Sequence, residues 1–457
     1  MGKGREDMVK RRYLPHTDED RQAMLQTIGE ESIEGLFSDI PEEVRTKHEM
    51  NIPKALSEVE LLDHMRQLAH RNVNATQMPY FIGAGTYDHY IPSIVSQIIM
   101  RQEFLTAYVP YQPEVSQGEL QALFEWQSLI CELTGMDVAN SGMYDGYNAV
   151  AEACNLAFGA VKKSTRVLIS KALNPQASET IRTYGFGKGY KVESIDLKDD
   201  ITDVDDLKEK MGKDVAAVVV QYPNFFGSIE DIRSIKEVMA ESKALLIVSA
   251  NPLALAKLEQ PGKLGADITV GDVQAFGIPM AFGGPHCGYF AANKKYMRKM
   301  PSRIVGQTSD AEGKRGFVMA LATREQHIRR EKATSNYSSN QALFALASAI
   351  AMNALGKKGI VEMAQRNINH SHYLAHLLKE KGFKILNSSP FFNEFLVQLP
   401  KDPKEINEAL LQKGFVGGFD ASDVYGKKDV MLLCATEKRS KGEIEAFASA
   451  LMEVSKS

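Results

Sequence analysis

The sequence predicts an α/β protein with a large domain built on a mostly parallel sheet, a smaller C-terminal α+β domain and an N-terminal helical arm. Two observations carry this prediction. Between residues 166 and 270, five short apolar runs alternate with segments rich in Glu, Lys and Leu, which is typical of strand–helix–strand crossover units. The first 75 residues contain helical patterns broken by prolines and no strand-like run. We therefore expect an arm at 1–75, a large domain at 76–340 and a C-terminal domain at 341–457.

Composition excludes several classes of protein. With 457 residues, 44% hydrophobic and 25% charged, the chain is typical of a soluble protein larger than one small core. The net charge of −4 argues against a general nucleic-acid binder. The four cysteines form no CxxC pair, so we expect neither a disulfide framework nor a metal site. The first residues lack an apolar secretory segment. We expect no apolar run long enough to span a membrane, and a cytoplasmic location.

The arm is expected to contain short capped helices. Thr17 precedes three acidic positions, and Ser57 and Glu60 have the spacing of a capping box. An arm of this length without a strand must bury its apolar residues elsewhere. A partner subunit and the chain's own large domain are both open as the surface that receives it.

Residues 80–113 read as a loop region punctuated by glycine and proline. Tyrosines fill it, and a polar-tipped aromatic ring on a loop suits either a ligand or subunit contact or packing within the loop. Both interpretations stay open from composition alone. Ser116 and Glu119 then have capping-box spacing, which predicts a helix that ends near Gly135.

The large domain and the C-terminal domain differ in their patterns. Continuous apolar runs predict strands of a parallel sheet covered on both faces, at 166–170, 191–197, 215–221, 244–249 and 267–270. No dinucleotide-binding or nucleotide triphosphate loop follows any of them. After residue 340 we expect a long helical run and a mixture of helices and strands, with helices near 361–379 and 403–413, strands near 391–399 and 430–434, and a last helix from Ser440.

Residues 271–288 look like a functional loop with few functional groups. This stretch follows a predicted strand and is rich in glycine with two prolines, so it is irregular backbone at a strand end, where α/β proteins place their sites. It nevertheless contains no lysine, a single acid, Asp272, and a single histidine, His286.

The domain order is similar to that of pyridoxal-phosphate enzymes with the aspartate aminotransferase-like fold. Five segments carry a closer resemblance, at 81–92, 110–127, 220–227, 277–290 and 324–336. They resemble the glycine decarboxylase, or P-protein, family of the glycine cleavage system, and within it subunit 1 of the two-subunit form. The family condenses glycine with pyridoxal phosphate, releases carbon dioxide and passes the aminomethyl group to the lipoyl arm of the H-protein. The resemblance implies two partners: subunit 2, in an α2β2 assembly, and the lipoylated H-protein.

Comparison with the cofactor-bearing subunit 2 of that family identifies three positions where this chain departs from the cofactor-binding pattern. At the phosphate position, Asp145 would place a carboxylate at a helix start and repel a second anion. At the ring-nitrogen position, neither Ser249 nor Asn251 supplies a negative charge. At the lysine position stands Gln274, whose amide cannot form a Schiff base. The resemblance therefore implies pyridoxal phosphate on subunit 2 and no catalytic residue on this chain.

In this fold the active site lies between two subunits, so loops of this chain are expected to complete the site of the partner. The candidate contributors are Tyr87, Asp88, His89, Tyr108, Tyr111, Gln112, Thr334, Ser335 and Asn336. Ordinary interface packing is an open alternative for each of them.

The segment 324–332 is basic and reads as one helix, because Thr323 and Gln326 have capping-box spacing. We expect it to line the channel to the active site or to contact an acidic H-protein, through Arg324, His327, Arg329 and Arg330. A solvated or intersubunit ion-paired helix is the alternative.

Two other functions remain compatible with the sequence. The chain could be a self-sufficient pyridoxal-phosphate enzyme that uses a lysine elsewhere. It could also be a regulatory or scaffold protein that has kept an old fold.

Overall fold

The structure is a computed structural model, and it describes residues 15–46, 48, 50–105, 109–333, 335–337 and 341–456. The chain forms two compact units, Met1–Asn72 and Val73–Ser457. The first unit ends close to the predicted arm boundary. The boundary expected near residue 340 stays a prediction.

The described residues form fourteen α-helices and fifteen strands, with short 3₁₀ turns between them. The helices are α1 (Asp18–Ile28), α2 (Glu58–Ala69), α3 (Ile94–Ile99), α4 (Gln102–Leu105), α5 (Gln117–Thr134), α6 (Gly146–Ala160), α7 (Pro175–Lys188), α8 (Val204–Lys210), α9 (Ile232–Val238), α10 (Gln326–Arg329), α11 (Ala342–Glu380), α12 (Pro403–Gln412), α13 (Ser422–Tyr425) and α14 (Lys441–Lys456). The strands are β1 (Val138–Ala139), β2 (Arg166–Ser170), β3 (Lys191–Ile195), β4 (Leu197–Lys198), β5 (Ile201–Thr202), β6 (Val215–Tyr222), β7 (Leu245–Ala250), β8 (Ile268–Asp272), β9 (Gly288–Ala292), β10 (Ile304–Ser309), β11 (Arg315–Ala320), β12 (Lys384–Ile385), β13 (Glu394–Gln398), β14 (Phe419–Asp420) and β15 (Val430–Cys434).

The first unit is a pair of capped helices joined by 3₁₀ turns. Thr17 caps α1 and Ser57 caps α2, each with a complete capping box, so both sequence predictions of helix starts are confirmed. No described residue of this unit is buried. Large apolar side chains such as Val44 and Val59 are each 70% exposed, so the unit carries apolar surface that nothing within it covers.

A seven-stranded sheet forms the centre of the second unit, in the order β1-β9-β8-β7-β6-β2-β3. The run β3-β2-β6-β7-β8 is parallel, and β9 pairs antiparallel with both β8 and β1. The prediction of a mostly parallel sheet is confirmed. All the strands expected from apolar runs are present, and their carboxyl ends lie at one edge.

Helices cover both faces of this sheet, as continuous apolar strands require. Val167 and Ile169 of β2 pack in one buried cluster with α6 and α7, whereas Leu168 between them packs in another with α8 and α9. This alternation follows from the two-residue period of a strand. The sheet therefore fixes where each loop at its carboxyl edge begins.

The helix α5 ends at Gly135 as expected, but its predicted capping box is wrong. Ser116 makes no side-chain capping hydrogen bond, and Glu119 is buried. Burial raises the pKa of Glu119 to about 7, against the lowering effect of the Arg303 charge. Tertiary packing rather than a local cap thus places the start of this helix.

The C-terminal region contains a four-stranded antiparallel sheet in the order β12-β13-β15-β14, and it is linked to the large sheet by α11. The two predicted helical runs are one element of 39 residues with a kink at Gly356. One window of α11, with mean hydropathy 1.2, is long and apolar enough to cross a membrane by length and composition. The expectation that no run reaches that limit is wrong, although residues such as Ala345 and Met352 lie in the protein core.

Candidate functional site

The candidate site lies at the carboxyl edge of the large sheet, where β8 ends against the first turn of α6. Glycines allow this close approach. A Cβ at Gly271 would lie 2.2 Å from the Ala250 carbonyl oxygen, and one at Gly288 would lie 2.2 Å from the Asp145 carbonyl oxygen. Glycine is therefore required where backbone meets backbone, and this explains part of the glycine content of residues 271–288.

Two carboxylates accept hydrogen bonds from backbone N–H groups at the N-terminus of α6. Asp145 caps the helix, with its Oδ1 accepting from Asn148 N at 2.7 Å, as the sequence predicted. Asp272 comes from β8, and its Oδ2 accepts from Gly146 N at 3.1 Å. The free N–H groups of a helix N-terminus commonly hold an anion such as phosphate. Here the chain supplies its own anions at that place.

Asp272 also holds the only histidine of the 271–288 stretch. Its Oδ2 lies 3.1 Å from His286 Nδ1. Burial by itself lowers the pKa of His286, but the hydrogen bond and charge of Asp272, helped by Asp145, outweigh burial and raise it. Sequence reasoning noticed both residues but missed their pairing and the role of Asp272 at α6. The lone acid in a glycine-rich loop after a strand was the available signal.

Gln274, at the position where the resemblance expects lysine, is buried and ties two loops together. Its Oε1 accepts from Tyr87 N at 3.0 Å, and its Nε2 donates to Tyr87 O at 2.8 Å and to Ile278 O at 3.0 Å. The amide nitrogen thus donates two hydrogen bonds to backbone carbonyls, and the amide oxygen accepts one from a backbone N–H. The side chain therefore has a structural role in holding the 81–92 loop against residues 271–288.

No acidic side chain stands at the ring-nitrogen position. Asn251 Oδ1 accepts from Leu253 N at 3.0 Å and closes a turn, and Ser249 lines the cavity beside it. The space lined by these groups, Gln274 and Asp272 measures about 80 Å³.

A second, open cleft of about 680 Å³ adjoins this space and shares Tyr147 and Asn174 with it. Asp145 and His286 lie in its wall. Burial and the charges of Asp272 and Asp145 raise the pKa of Tyr147 to about 12. The cleft is thus negatively charged on the side where a cofactor phosphate would have to sit.

The 81–92 loop is fixed to the C-terminal sheet by buried polar groups. Tyr87 OH donates to Glu394 Oε2 at 2.8 Å, and Asp88 forms ion pairs with Lys438 and Arg439 at 2.5 and 2.7 Å. His89 Nδ1 lies 2.9 Å from Glu437 Oε2.

These contacts make Asp88 and His89 intramolecular partners of the turn that follows β15. Their contribution to a partner's site stays a prediction. Burial opposes ionisation of Glu437, but the His89 contacts and the Tyr90 N–H overcome it and lower the pKa of Glu437 to about 2.

The remaining proposed contributors are more exposed. Tyr111 is 49% exposed, accepts from Arg303 Nη2 at 2.8 Å and lies beside the His327 ring. Gln112 and Asn336 are exposed, whereas Ser335 donates to Glu152 Oε1 at 2.9 Å. Tyr108 and Thr334 lie outside the described residues. Ser335 therefore contacts α6 through Glu152, whereas Tyr111 contacts Arg303 and His327.

The basic segment is not the single helix that its sequence predicted. Short turns at Ala322–Arg324, α10 and Arg330–Lys332 follow one another, and Glu325, not Thr323, precedes α10 without a side-chain cap. Positive φ angles at Leu321 and Arg330 break the helix. Arg324 lies partly buried, while His327, Arg329 and Arg330 are exposed. Among the described residues, no cluster of His, Cys, Asp and Glu is arranged to hold a metal ion.

Comparison with known proteins decides the family. The profile of the glycine cleavage system P-protein matches residues 11–451, almost the whole chain. The chain belongs to the glycine cleavage system P-protein family. The resemblance seen in its five sequence segments is therefore confirmed.

Individual members of the P-protein family match over nearly their full length. The probable glycine dehydrogenase (decarboxylating) subunit 1 of Bacillus cytotoxicus is 55% identical over 439 residues, which is 96% of this chain and 98% of that protein. The inhibitor-bound crystal structure of a glycine decarboxylase (P-protein) is 41% identical, covers 97% of this chain and 99% of its own, and superimposes with a TM-score of 0.90.

A more distant structure confirms the predicted fold class. An aspartate aminotransferase from Thermus thermophilus covers 82% of this chain and 99% of its own, with a TM-score of 0.56 at 14% identity. Such a likeness indicates the fold alone. The P-protein chain thus has the fold of pyridoxal-phosphate enzymes, and the cofactor-binding positions must be judged from its own residues.

Those residues do not fit the cofactor. A phosphate at Gly146 N would stand beside the carboxylates of Asp145 and Asp272, and each unit charge pair near 4 Å costs about 4 kcal/mol at a partly screened site. The position of the lysine holds an amide already bonded to backbone.

Proposed function

We propose that this chain is subunit 1 of a two-subunit glycine decarboxylase. With subunit 2 it would decarboxylate glycine by means of pyridoxal phosphate and transfer the aminomethyl group to the lipoyl arm of the H-protein. The name and near-complete coverage of the Bacillus cytotoxicus relative support the assignment to subunit 1. The chain is accordingly a component of an enzyme, and the subunit name of that relative implies a partner subunit.

We infer further that the cofactor sits on subunit 2. One observation carries this inference: the Asp272 carboxylate accepts the Gly146 N–H at the helix start where a cofactor phosphate would bind. Gln274 in the lysine position supports it independently, because its amide is consumed by Tyr87 and Ile278. The pyridoxal phosphate supplies the electron sink for decarboxylation when it is bound to the partner, and this chain supplies surrounding structure.

The part of this chain that faces the partner's site is expected to come from its loops. Tyr111 and Gln112 are exposed and lie on a loop tied to Arg303, and Asn336 is exposed beside the Ser335–Glu152 contact. Hydroxyl and amide groups at such places can donate to a phosphate or a carboxylate. The first unit, with its uncovered apolar surface, is proposed to dock on the partner in the same assembly.

Complementary charge supports the H-protein as a further partner. Arg329 and Arg330 are exposed on a segment that carries three arginines, one lysine and one histidine within nine residues. A basic surface of this kind steers and orients an acidic partner. We place the α2β2 assembly and its reaction in the cytoplasm, in line with the composition of the chain.

Co-purification with subunit 2, followed by reduction with borohydride and mapping of the labelled lysine, tests the proposal. We expect all covalently trapped cofactor on subunit 2, and glycine decarboxylation only when both chains are present. Trapped cofactor on a lysine of this chain would support a self-sufficient enzyme instead. Full decarboxylation and carbon dioxide exchange by subunit 2 alone would leave this chain a scaffold or regulatory role.

A further inference from the structure

We propose that a cavity lined by Arg298, Arg324, Arg329, Arg330 and Lys332 binds a phosphate-bearing small molecule. We call this cavity the arginine pocket. It measures about 790 Å³ and lies beside the 3₁₀ turns that replace the predicted helix. It is separate from the residues of the cofactor-like site. It includes Arg329 and Arg330, which are proposed above to contact the H-protein, so the experiment below uses the chain without the H-protein.

The charge of the arginine pocket is the first reason. Its five cationic side chains face a single carboxylate in the lining, that of Glu331. Among the ion pairs of the described residues, none involves one of these five side chains, although the charge of Glu325 acts on Arg324. Such a concentration of one sign in a cavity attracts anions, and arginine matches phosphate through its planar, bidentate donors.

The geometry of Arg324 is the second reason. Its Nη1 donates to the Met300 carbonyl oxygen, while its Nε and Nη2 are buried and meet no hydrogen-bond partner within the described residues. Burial lowers the pKa of Arg324, since the charged form loses water, and this outweighs the raising effect of the nearby Glu325 charge. A buried guanidinium with two unused donors is unfavourable. An oxyanion that accepts from both nitrogens would remove that cost.

The backbone around the pocket is the third reason. Leu321 has φ 56° and Arg330 has φ 52° with ψ −128°, and both are residues with a Cβ. Side-chain-bearing residues in such conformations cost on the order of 1–3 kcal/mol and persist at ligand sites when they orient a needed group. Here they turn the chain so that Arg324 and Arg330 line the same cavity.

The size and lining indicate an organic phosphate. The cavity is much larger than one inorganic anion, and the side chains of Leu321 and Ile328 form part of its wall. Ile328 is 52% exposed, so it offers apolar contact to a ligand. A compound with one dianionic group and an apolar body satisfies both parts of the lining.

Calorimetric titration of the full-length chain tests the proposal, with inorganic phosphate and phenyl phosphate as probes at constant ionic strength. We expect one saturable site per chain, tighter for phenyl phosphate. Arg324→Gln should weaken binding by about ten-fold or more, because it removes a charged donor pair. Arg330→Gln, at an exposed position, should weaken binding by about two- to five-fold without affecting folding. Arg315→Gln is the matched control, since it removes the same charge from an exposed site outside the pocket.

Equal loss of binding in Arg315→Gln, or unchanged binding in both pocket variants, would show only general charge attraction and overturn the proposal. Binding that vanishes when subunit 2 is added would overturn it as well, because the pocket would then be closed to ligands in the assembly. Retained binding by the two-subunit complex, with the same ranking of variants, supports a ligand site.

Discussion

Glu394 is a buried carboxyl group that holds the 81–92 loop, and its environment makes this contact dependent on pH. Its Oε1 accepts from Ala84 N at 2.6 Å, and Tyr87 OH donates to its Oε2. Loss of water raises its pKa to about 7, although the two hydrogen bonds act in the opposite direction. The folded chain therefore keeps the proton on Glu394 in a pH range where the unfolded chain has released it.

We predict that Glu394→Gln removes one pH-dependent component of stability. A carboxyl whose pKa is raised on folding stabilises fully below about pH 4.5, and this contribution is lost as pH rises through about 7. The shift corresponds to about 3 kcal/mol. Relative to wild type, the variant should gain free energy of unfolding between pH 5 and pH 8. Denaturant unfolding at several pH values measures this, and Glu408→Gln, on the exposed side of α12, is the control.

Parallel wild-type and Glu394→Gln curves over that range would contradict the assigned protonation.

The candidate site shows which residue roles can be predicted from sequence. The capping role of Asp145 and the presence of Gln274 at the lysine position follow from local spacing and resemblance. The contact of Asp272 with Gly146 joins residues 126 positions apart. Local sequence spacing therefore cannot predict it, because it depends on how the sheet folds.

At the scale of elements, α11 changes direction at Gly356, where φ is 62° and ψ is 175°. A Cβ there would meet nothing within 4 Å, so the constraint is conformational rather than steric crowding by neighbours. We predict that Gly356→Ala lowers the free energy of unfolding by about 1–2 kcal/mol. Gly159→Ala, in the last turn of α6 and also free of near neighbours, should be neutral or stabilising by up to about 1 kcal/mol. Thermal or denaturant unfolding of the two variants distinguishes them.

An equal effect of the two alanine substitutions would mean that α11 is not fixed in this bend.

The helices and strands also show which sequence patterns predict structure reliably. Continuous apolar runs predicted five of the seven strands of the large sheet but not β1 and β9. Both arm capping boxes formed because their partners are local. The boxes expected at Ser116 and Thr323 did not form, since burial of Glu119 and the positive φ of Leu321 override the local pattern.

At the scale of the whole molecule, the chain retains the framework of a cofactor-binding fold, but other groups fill the cofactor position. It keeps the sheet, the glycine-lined close approach and the helix start of a cofactor fold, yet it fills that place with Asp272 and Gln274. Its uncovered features lie elsewhere, in the apolar arm, the exposed loops near Tyr111 and the arginine pocket. An arrangement of this kind is consistent with the proposed role of the chain as one subunit of an assembly.

The arm gives the clearest test of that view. None of its described residues is buried, and Ile28, Val44, Met50 and Val59 are 62–72% exposed. Covering a few such side chains contributes about 1.5–3 kcal/mol each. We predict that a chain lacking residues 1–72 still unfolds cooperatively but binds subunit 2 at least about 100-fold more weakly. Analytical ultracentrifugation with purified subunit 2 measures the affinity.

A full-length variant with Leu61→Gln and Met65→Gln is the companion experiment, since both side chains are exposed on α2 and the rest of the arm is retained. It should reproduce part of the loss in affinity for subunit 2 while leaving the circular dichroism of the chain unchanged. Wild-type affinity in both the truncated and the doubly substituted chains would mean that the arm's apolar surface is not covered by subunit 2. The assembly would then have to rest on the loops of the second unit alone.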